Sequence, residues 1–84
     1  QEEAKQMLAK AINIYEIVGD RYSIPAQIGN YGWALLQAGK FAEAYPYFEQ
    51  AVPLFEAIGL DDYAQRHHQA ALWCKQQLQQ GGGD

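Results

Sequence analysis

Apolar residues recur along this chain at intervals of three and four positions, the spacing of one face of an α-helix. In the first segment they are Ala4, Leu8, Ala11, Tyr15 and Val18. In the third segment they are Phe41, Ala44, Phe48, Ala51, Phe55 and Ile58. No alternating β-branched run, typical of a strand, occurs. The pattern predicts four helices at about residues 2–18, 24–38, 41–58 and 61–79, followed by a flexible glycine-rich tail at 81–84.

Glycines follow the apolar patterns directly. Gly19, Gly39 and Gly59 suit the position after a helix, where φ is positive. At the start of the second helix we expect either Ser23 or Asp20 to be the capping residue. These signals predict short turns, which make neighbouring helices antiparallel.

Proline lies inside the third apolar pattern at positions 46 and 53, and Pro53 is well beyond the first turn. An interior proline costs about 3 kcal/mol because it removes a backbone hydrogen bond. We expect Pro53 to face solvent on the convex side of a bend. The alternative is that the helix ends at Val52, which would weaken the interpretation of the chain as a repeat.

The chain is similar to itself when it is shifted by forty residues. Small residues then align with small ones and aromatic with aromatic: Ala4 with Ala44, Leu8 with Phe48, Ala11 with Ala51, Tyr15 with Phe55, and Gly19 with Gly59. Self-similarity at a fixed period indicates repeated structural units that bury their apolar faces against one another.

Residues 26–54 have small residues at Gly32, Gly39, Ala44 and Ala51 and bulky ones at Ile28, Tyr31, Leu35, Phe41 and Phe48. In these small and bulky positions the segment resembles a tetratricopeptide repeat, a pair of antiparallel helices in close contact. The period of about forty is longer than the family's usual thirty-four. The resemblance implies an all-α fold of antiparallel helix-turn-helix repeats, stacked as a short right-handed α-solenoid of four helices.

Composition limits the possible functions. Ten Asp and Glu against six Lys and Arg give a net charge of −4, which argues against nucleic acid or an anionic membrane surface as partner. The single Cys74 cannot form an internal disulfide, and the adjacent His67 and His68 point about 100° apart on a helix, so neither a zinc site nor another metal site is expected. No nucleophile–base arrangement or phosphate-binding loop occurs. We expect a cytoplasmic protein that is not an enzyme and needs no cofactor.

The resemblance also implies a concave face for binding a partner. The residues it places there are Ala26, Asn30, Trp33 and Gln37 in the second helix and His67, His68, Ala71 and Lys75 in the fourth. Polar donors beside a tryptophan suit an extended peptide or a helix. Trp33 could instead pack between helices. One branch of the family clamps a terminal carboxylate with Lys and Asn side chains, but only Asn30 matches such a position, so this mode is disfavoured.

The two ends of the predicted stack differ. The last helix has a polar outer face, as in a solubilising cap, formed by Arg66, Gln69, Gln76 and Gln77 with Trp73 as its one bulky apolar member. The first helix carries more apolar residues than one neighbour can cover: Met7, Ile12, Ile14 and Tyr15. We therefore expect a protein-binding module at the C-terminal end of a repeat array. The alternative is a self-assembly module that pairs through its first helix as a homodimer or stacked oligomer.

Overall fold

Four helices account for nearly all of the chain. The computed structural model describes residues 2–18 and 20–81, without the side chains of 15–18 and 81. The helices are α1 (Glu2–Val18), α2 (Ser23–Gln37), α3 (Phe41–Ala57) and α4 (Asp61–Gly81), and these described residues contain no strand. The protein is therefore all-α, with consecutive helices packed against one another in a helical repeat arrangement.

The helix bounds differ from the predicted ones by two residues at most. Gly81, which the sequence assigned to the tail, is the last residue of α4, and the remaining tail residues 82–84 lie outside the described residues. The helix continues because nothing in the preceding polar residues, which include Gln79 and Gln80, terminates it.

Two glycines end helices in the predicted way. Gly39 has φ of +78° and Gly59 has φ of +79°, a backbone conformation that favours glycine. The Gly39 N–H donates to the Leu36 carbonyl and the Lys40 N–H donates to the Leu35 carbonyl, both at 2.9 Å. The same pair of hydrogen bonds forms around Gly59. These bonds satisfy carbonyls that the helix end would leave without partners.

Asp20 is the capping residue of α2. Its carboxylate accepts hydrogen bonds from the backbone N–H of Ser23 at 3.0 Å and from the Ser23 hydroxyl at 2.7 Å. Both bonds favour the charged carboxylate, so they lower the pKa of Asp20 below its ordinary 3.8. Pro25 is buried in the first turn of the helix. The predicted turn residue Gly19 lies outside the described residues.

α3 continues through both of its prolines. Pro46 and Pro53 lie inside the helix and are exposed, so the prediction that Pro53 faces solvent is confirmed and the alternative end at Val52 is wrong. The opposite side of α3 packs against two other helices, which holds it helical despite the missing backbone donors.

The core lies along the buried face of α3, in two successive clusters. One cluster of buried residues comprises Leu35, Ala44, Phe48, Ala70, Ala71 and Cys74, and the other comprises Ile28, Ala51, Phe55 and Ala64. Both clusters join α2, α3 and α4. A Cβ atom on Gly32 would lie 3.2 Å from the Phe48 ring, so the small residue allows α2 and α3 to approach closely. The molecule is flat, with extents of 42 × 30 × 14 Å.

Candidate functional site

A groove runs between α2 and α4. The two helices approach each other at Gly29, where a Cβ atom would overlap the imidazole of His67. Glycine at this position therefore allows the histidine to lie directly against the backbone of α2. Two pockets with different chemistry lie along the groove, and they meet at Trp33 and Arg66, which line both.

The polar half of the groove has a volume of about 340 Å³. It is lined by Tyr22, Ala26, Asn30, Trp33, Phe55, Tyr63, Arg66 and His67. Four of the residues predicted for the concave face, Ala26, Asn30, Trp33 and His67, are therefore brought together here. The aromatic rings form walls, and the amide, hydroxyl and guanidinium groups supply hydrogen-bond donors.

The apolar half of the groove is larger, about 590 Å³. It is lined by Trp33, Leu36, Gln65, Arg66, Gln69, Ala70 and Trp73. Trp33 and Arg66 line both halves, so one ligand can contact an apolar surface and a cation at neighbouring points.

Trp33 combines the two roles that the sequence offered as alternatives. Its ring packs edge-to-face on Phe48, with the centroids 4.9 Å apart at 73°, while 36% of the residue remains exposed. Trp73 is 44% exposed and packs in the same way on Phe41, at 5.3 Å. Each indole is thus held by the core on one side and is accessible on the other, which suits it to binding a partner at little entropic cost.

His67 lines the polar half of the groove, as the resemblance implies for the concave face, but most of its side chain is buried. It is only 7% exposed and packs among aromatic rings, with Phe55 at 4.9 Å and Phe48 at 5.9 Å between centroids. Its Nδ1 lies 2.7 Å from the backbone carbonyl oxygen of Tyr63. Because that oxygen only accepts, Nδ1 is the nitrogen that donates. His67 is therefore mainly an interhelical contact, with one edge at the groove.

The other predicted residues of α4 lie elsewhere. Ala71 is buried in the core beside Cys74, so its assignment to the binding face is wrong. His68 is exposed beside Val52 and Glu56, away from the groove. Lys75 is exposed but lines neither half, and the same is true of Gln37 at the end of α2.

The reason for these differences is the rotation of α4 about its axis. Its buried stripe is Ala64, His67, Ala71 and Cys74, at steps of 3, 4 and 3. The stripe faces α3, and the adjacent face, with Arg66, Gln69 and Trp73, turns to the groove instead of forming the outer face of a cap. The helical spacing of this stripe could have been recognised in the sequence, but a histidine within it is not a typical buried residue.

In the polar half of the groove, the sequence analysis missed Tyr22 and Tyr63 and assigned Arg66 to another surface. In the apolar half, Gln69 and Trp73 had been assigned to that same surface. The rings of Tyr22 and Tyr63 lie 6.1 Å apart, edge to face. The Arg66 guanidinium carbon lies 5.7 Å from the centroid of the Tyr63 ring. An arginine over an aromatic face is held by a cation–π interaction, which orients its donors.

The uncovered surface of α1 is smaller than predicted. Met7 is 66% exposed and Ile14 is 58% exposed, as expected for an unpartnered face. Ile12 instead is half-buried against the cluster that contains Ile28, so its assignment to this face is wrong. The side chain of Tyr15 lies outside the described residues.

Outside the groove, the described residues show little that indicates a catalytic thiol, a metal site or a membrane-spanning helix. Cys74 is buried, and burial raises the pKa of its thiol, which disfavours the reactive thiolate. Among residues 2–18 and 20–81, no group of three or more His, Cys, Asp or Glu is placed to hold a metal ion. In the same part of the chain, none of the helices has the length and apolar character required to cross a bilayer.

No protein-family model matches this chain, and neither a curated protein nor a solved structure is significantly similar to it.

Proposed function

We propose that this chain is a non-catalytic interaction module of tetratricopeptide type, which binds a peptide or protein segment in the groove between α2 and α4. The observation that carries the proposal is the pair of half-exposed indoles, Trp33 and Trp73, each packed on the core behind it and both lining one apolar space. Preorganised aromatic side chains are typical binding hot spots because they bury a large area with little loss of freedom.

The size of the groove supports a peptide as ligand. The two halves, about 340 and 590 Å³, share two lining residues, so the groove extends over several residues of an extended chain. The amide of Asn30 is exposed in the polar half, where it can pair with both the N–H and the C=O of a peptide backbone. An enzyme would need a nucleophile or an acid–base pair beside the same space, and the lining residues support binding better than such chemistry.

The test is selection from a displayed library of random dodecapeptides. We expect the wild-type protein to enrich peptides that the variants Trp33→Ala and Trp73→Ala do not retain. Leu72→Ala is the matched control, since Leu72 is an exposed apolar residue of α4 that lines neither half of the groove. Circular dichroism establishes that each variant is folded. Equal enrichment by wild type and both tryptophan variants would refute binding in the groove.

A second candidate function is self-assembly through α1. The observation in its favour is the exposure of Met7 and Ile14 on a helix that packs against α2 on one side. If α1 pairs with a second copy, Ile14→Lys lowers the solution mass at high concentration, whereas Asn13→Lys, at an exposed polar neighbour, does not. Sedimentation equilibrium measures both. A wild-type protein that stays monomeric at millimolar concentration would exclude this function.

A further inference from the structure

The groove has a different charge from the rest of the molecule. The chain has ten Asp and Glu residues and a net charge of −4. Among the described residues that line the two halves there is no Asp or Glu, and Arg66 is the one with a permanent charge. A surface that lacks the commonest charge of the chain and carries the opposite one is complementary to an acidic ligand.

From this arrangement we propose that the groove recognises a peptide segment with an Asp or Glu side chain next to a large apolar side chain. The carboxylate binds Arg66, and the apolar side chain lies on Trp33 and Trp73 in the apolar half. This inference rests on the proposed function and names the chemistry of its ligand.

The surroundings of Arg66 favour a carboxylate. Its guanidinium rests against the Tyr63 ring, so fewer of its conformations are lost when it binds. A guanidinium offers two parallel donors that match the two oxygens of a carboxylate. Asn30 and Tyr22 add an amide and a hydroxyl in the same half of the groove.

The position of Arg66 also determines the spacing of the motif. Arg66 and Trp33 line both halves of the groove. A bound acidic side chain is therefore close to the apolar half, and we expect the apolar residue within two positions of it in the peptide. This mode uses an internal side chain and Arg66, unlike the clamp for a terminal carboxylate that the sequence disfavoured.

The net negative charge of the protein helps to distinguish a local binding site from nonspecific attraction. A protein with a charge of −4 attracts basic peptides and repels acidic ones at long range. An acidic preference among bound peptides therefore cannot come from nonspecific attraction and must come from a local site.

The experiment is the same dodecapeptide selection, with sequencing of the peptides that depend on Trp33. For the wild type we expect Asp and Glu to be enriched about threefold or more over the input library. Arg66→Glu should reverse the preference towards Lys and Arg. Lys75→Glu is the matched control: it makes the same change of charge on an exposed residue of α4 outside the groove, and it should keep the acidic preference.

One enriched peptide is then synthesised in two forms, one with its acidic residue and one with Gln at that position, and the affinity of the protein for each form is measured. Tryptophan fluorescence reports binding directly, because the two tryptophans of the chain both line the groove. We expect the acidic peptide to bind about tenfold or more tightly than its Gln form at low salt, and Arg66→Gln to remove the difference.

The outcomes separate this inference from the proposed function. Peptides that depend on Trp33 but show no acidic preference, or whose preference survives Arg66→Glu, overturn the acidic ligand and leave the groove as a binding site. If no peptide depends on either tryptophan, both the proposed function and this inference are wrong.

Discussion

α1 and α3 have the same pattern of small and large residues, yet they are buried to very different extents. Ala44 and Phe48 of α3 are fully buried. Their counterparts forty residues earlier differ: Ala4 is exposed and Leu8 is half-buried. α3 lies between α2 and α4, whereas α1 packs against α2 on one side. A repeat pattern therefore specifies which face a helix offers, and the number of neighbouring helices decides how much of that face is buried.

The difference has an energetic consequence. Burial of apolar area contributes about 25 cal/mol per Å², and closely packed sites also resist a change of volume. Equivalent substitutions in the two helices should therefore cost much more in α3. Substitutions at aligned positions of α1 and α3 test this difference.

The largest difference is expected for the aligned pair Phe48 and Leu8. Phe48→Ala removes a ring that is 0% exposed and packs on Trp33, so it should cost about 3–5 kcal/mol of unfolding free energy, a large share of the stability of a small domain. Leu8→Ala should cost about 1 kcal/mol, because the side chain is already half in water. Urea unfolding followed by circular dichroism measures both. Equal costs would show that α1 is as well covered as α3.

The aligned small residues Ala44 and Ala4 test the difference between α3 and α1 by adding volume instead of removing it. Ala44→Leu inserts three carbons where no space exists and should cost about 1–3 kcal/mol. Ala4→Leu places the same atoms at an exposed site and should change stability by less than about 0.5 kcal/mol. The measurement is the thermal midpoint of each variant. A destabilising Ala4→Leu would mean that another helix covers α1.

The contact between Gly29 and His67 determines how closely α2 and α4, the two neighbours of α3, approach each other. Gly29→Ala should cost about 1–2 kcal/mol, although alanine is the better helix former, because the added Cβ meets the imidazole. In the background of His67→Ala the same change should be neutral or stabilising. Urea unfolding of the two single variants and the double variant gives the coupling energy. A coupling energy near zero would contradict the close approach of α2 and α4 at this point.

The smallest effect is expected at the turn that joins α1 to α2. The lowered pKa of Asp20 means that its carboxylate stabilises the folded state fully above the ordinary value of 3.8, and that this contribution is lost as the pH falls through the lower folded-state pKa. Asp20→Asn keeps a capping oxygen that does not titrate. The melting temperature of the wild type should therefore fall more steeply than that of Asp20→Asn below about pH 4. Parallel pH profiles would show that the cap does not form.

Local features were predictable from the chain. The four helices follow from apolar spacing, and the turns at Gly39 and Gly59 follow from the ability of glycine to adopt positive φ. The exposure of Pro53 was also predictable, because a proline within a helix is tolerated where its missing donor does not face a packed neighbour.

The groove was only partly predictable. Ala26, Asn30, Trp33 and His67, which the resemblance placed on the binding face, line the groove, whereas Gln37 of α2 does not. In α4, carrying over the register of the resembling family placed Ala71 at the surface and Arg66 on an outer cap, and both assignments fail. The buried stripe of α4 consists of alanines, a histidine and a cysteine, whose weak apolar character gave no strong indication of the inward face.

The amino-acid sequence was thus sufficient to predict the helices, their ends and the small residues at which helices can touch. These features depend on interactions between residues that are close along the chain. The rotation of α4, the burial of His67 and the double role of Trp33 were decided by packing between helices that are distant along the chain. Helical periodicity shows which residues of α4 share a face. Which of these faces is buried depends on the shape of the neighbouring helix: because Gly29 has no side chain, α2 can accommodate His67.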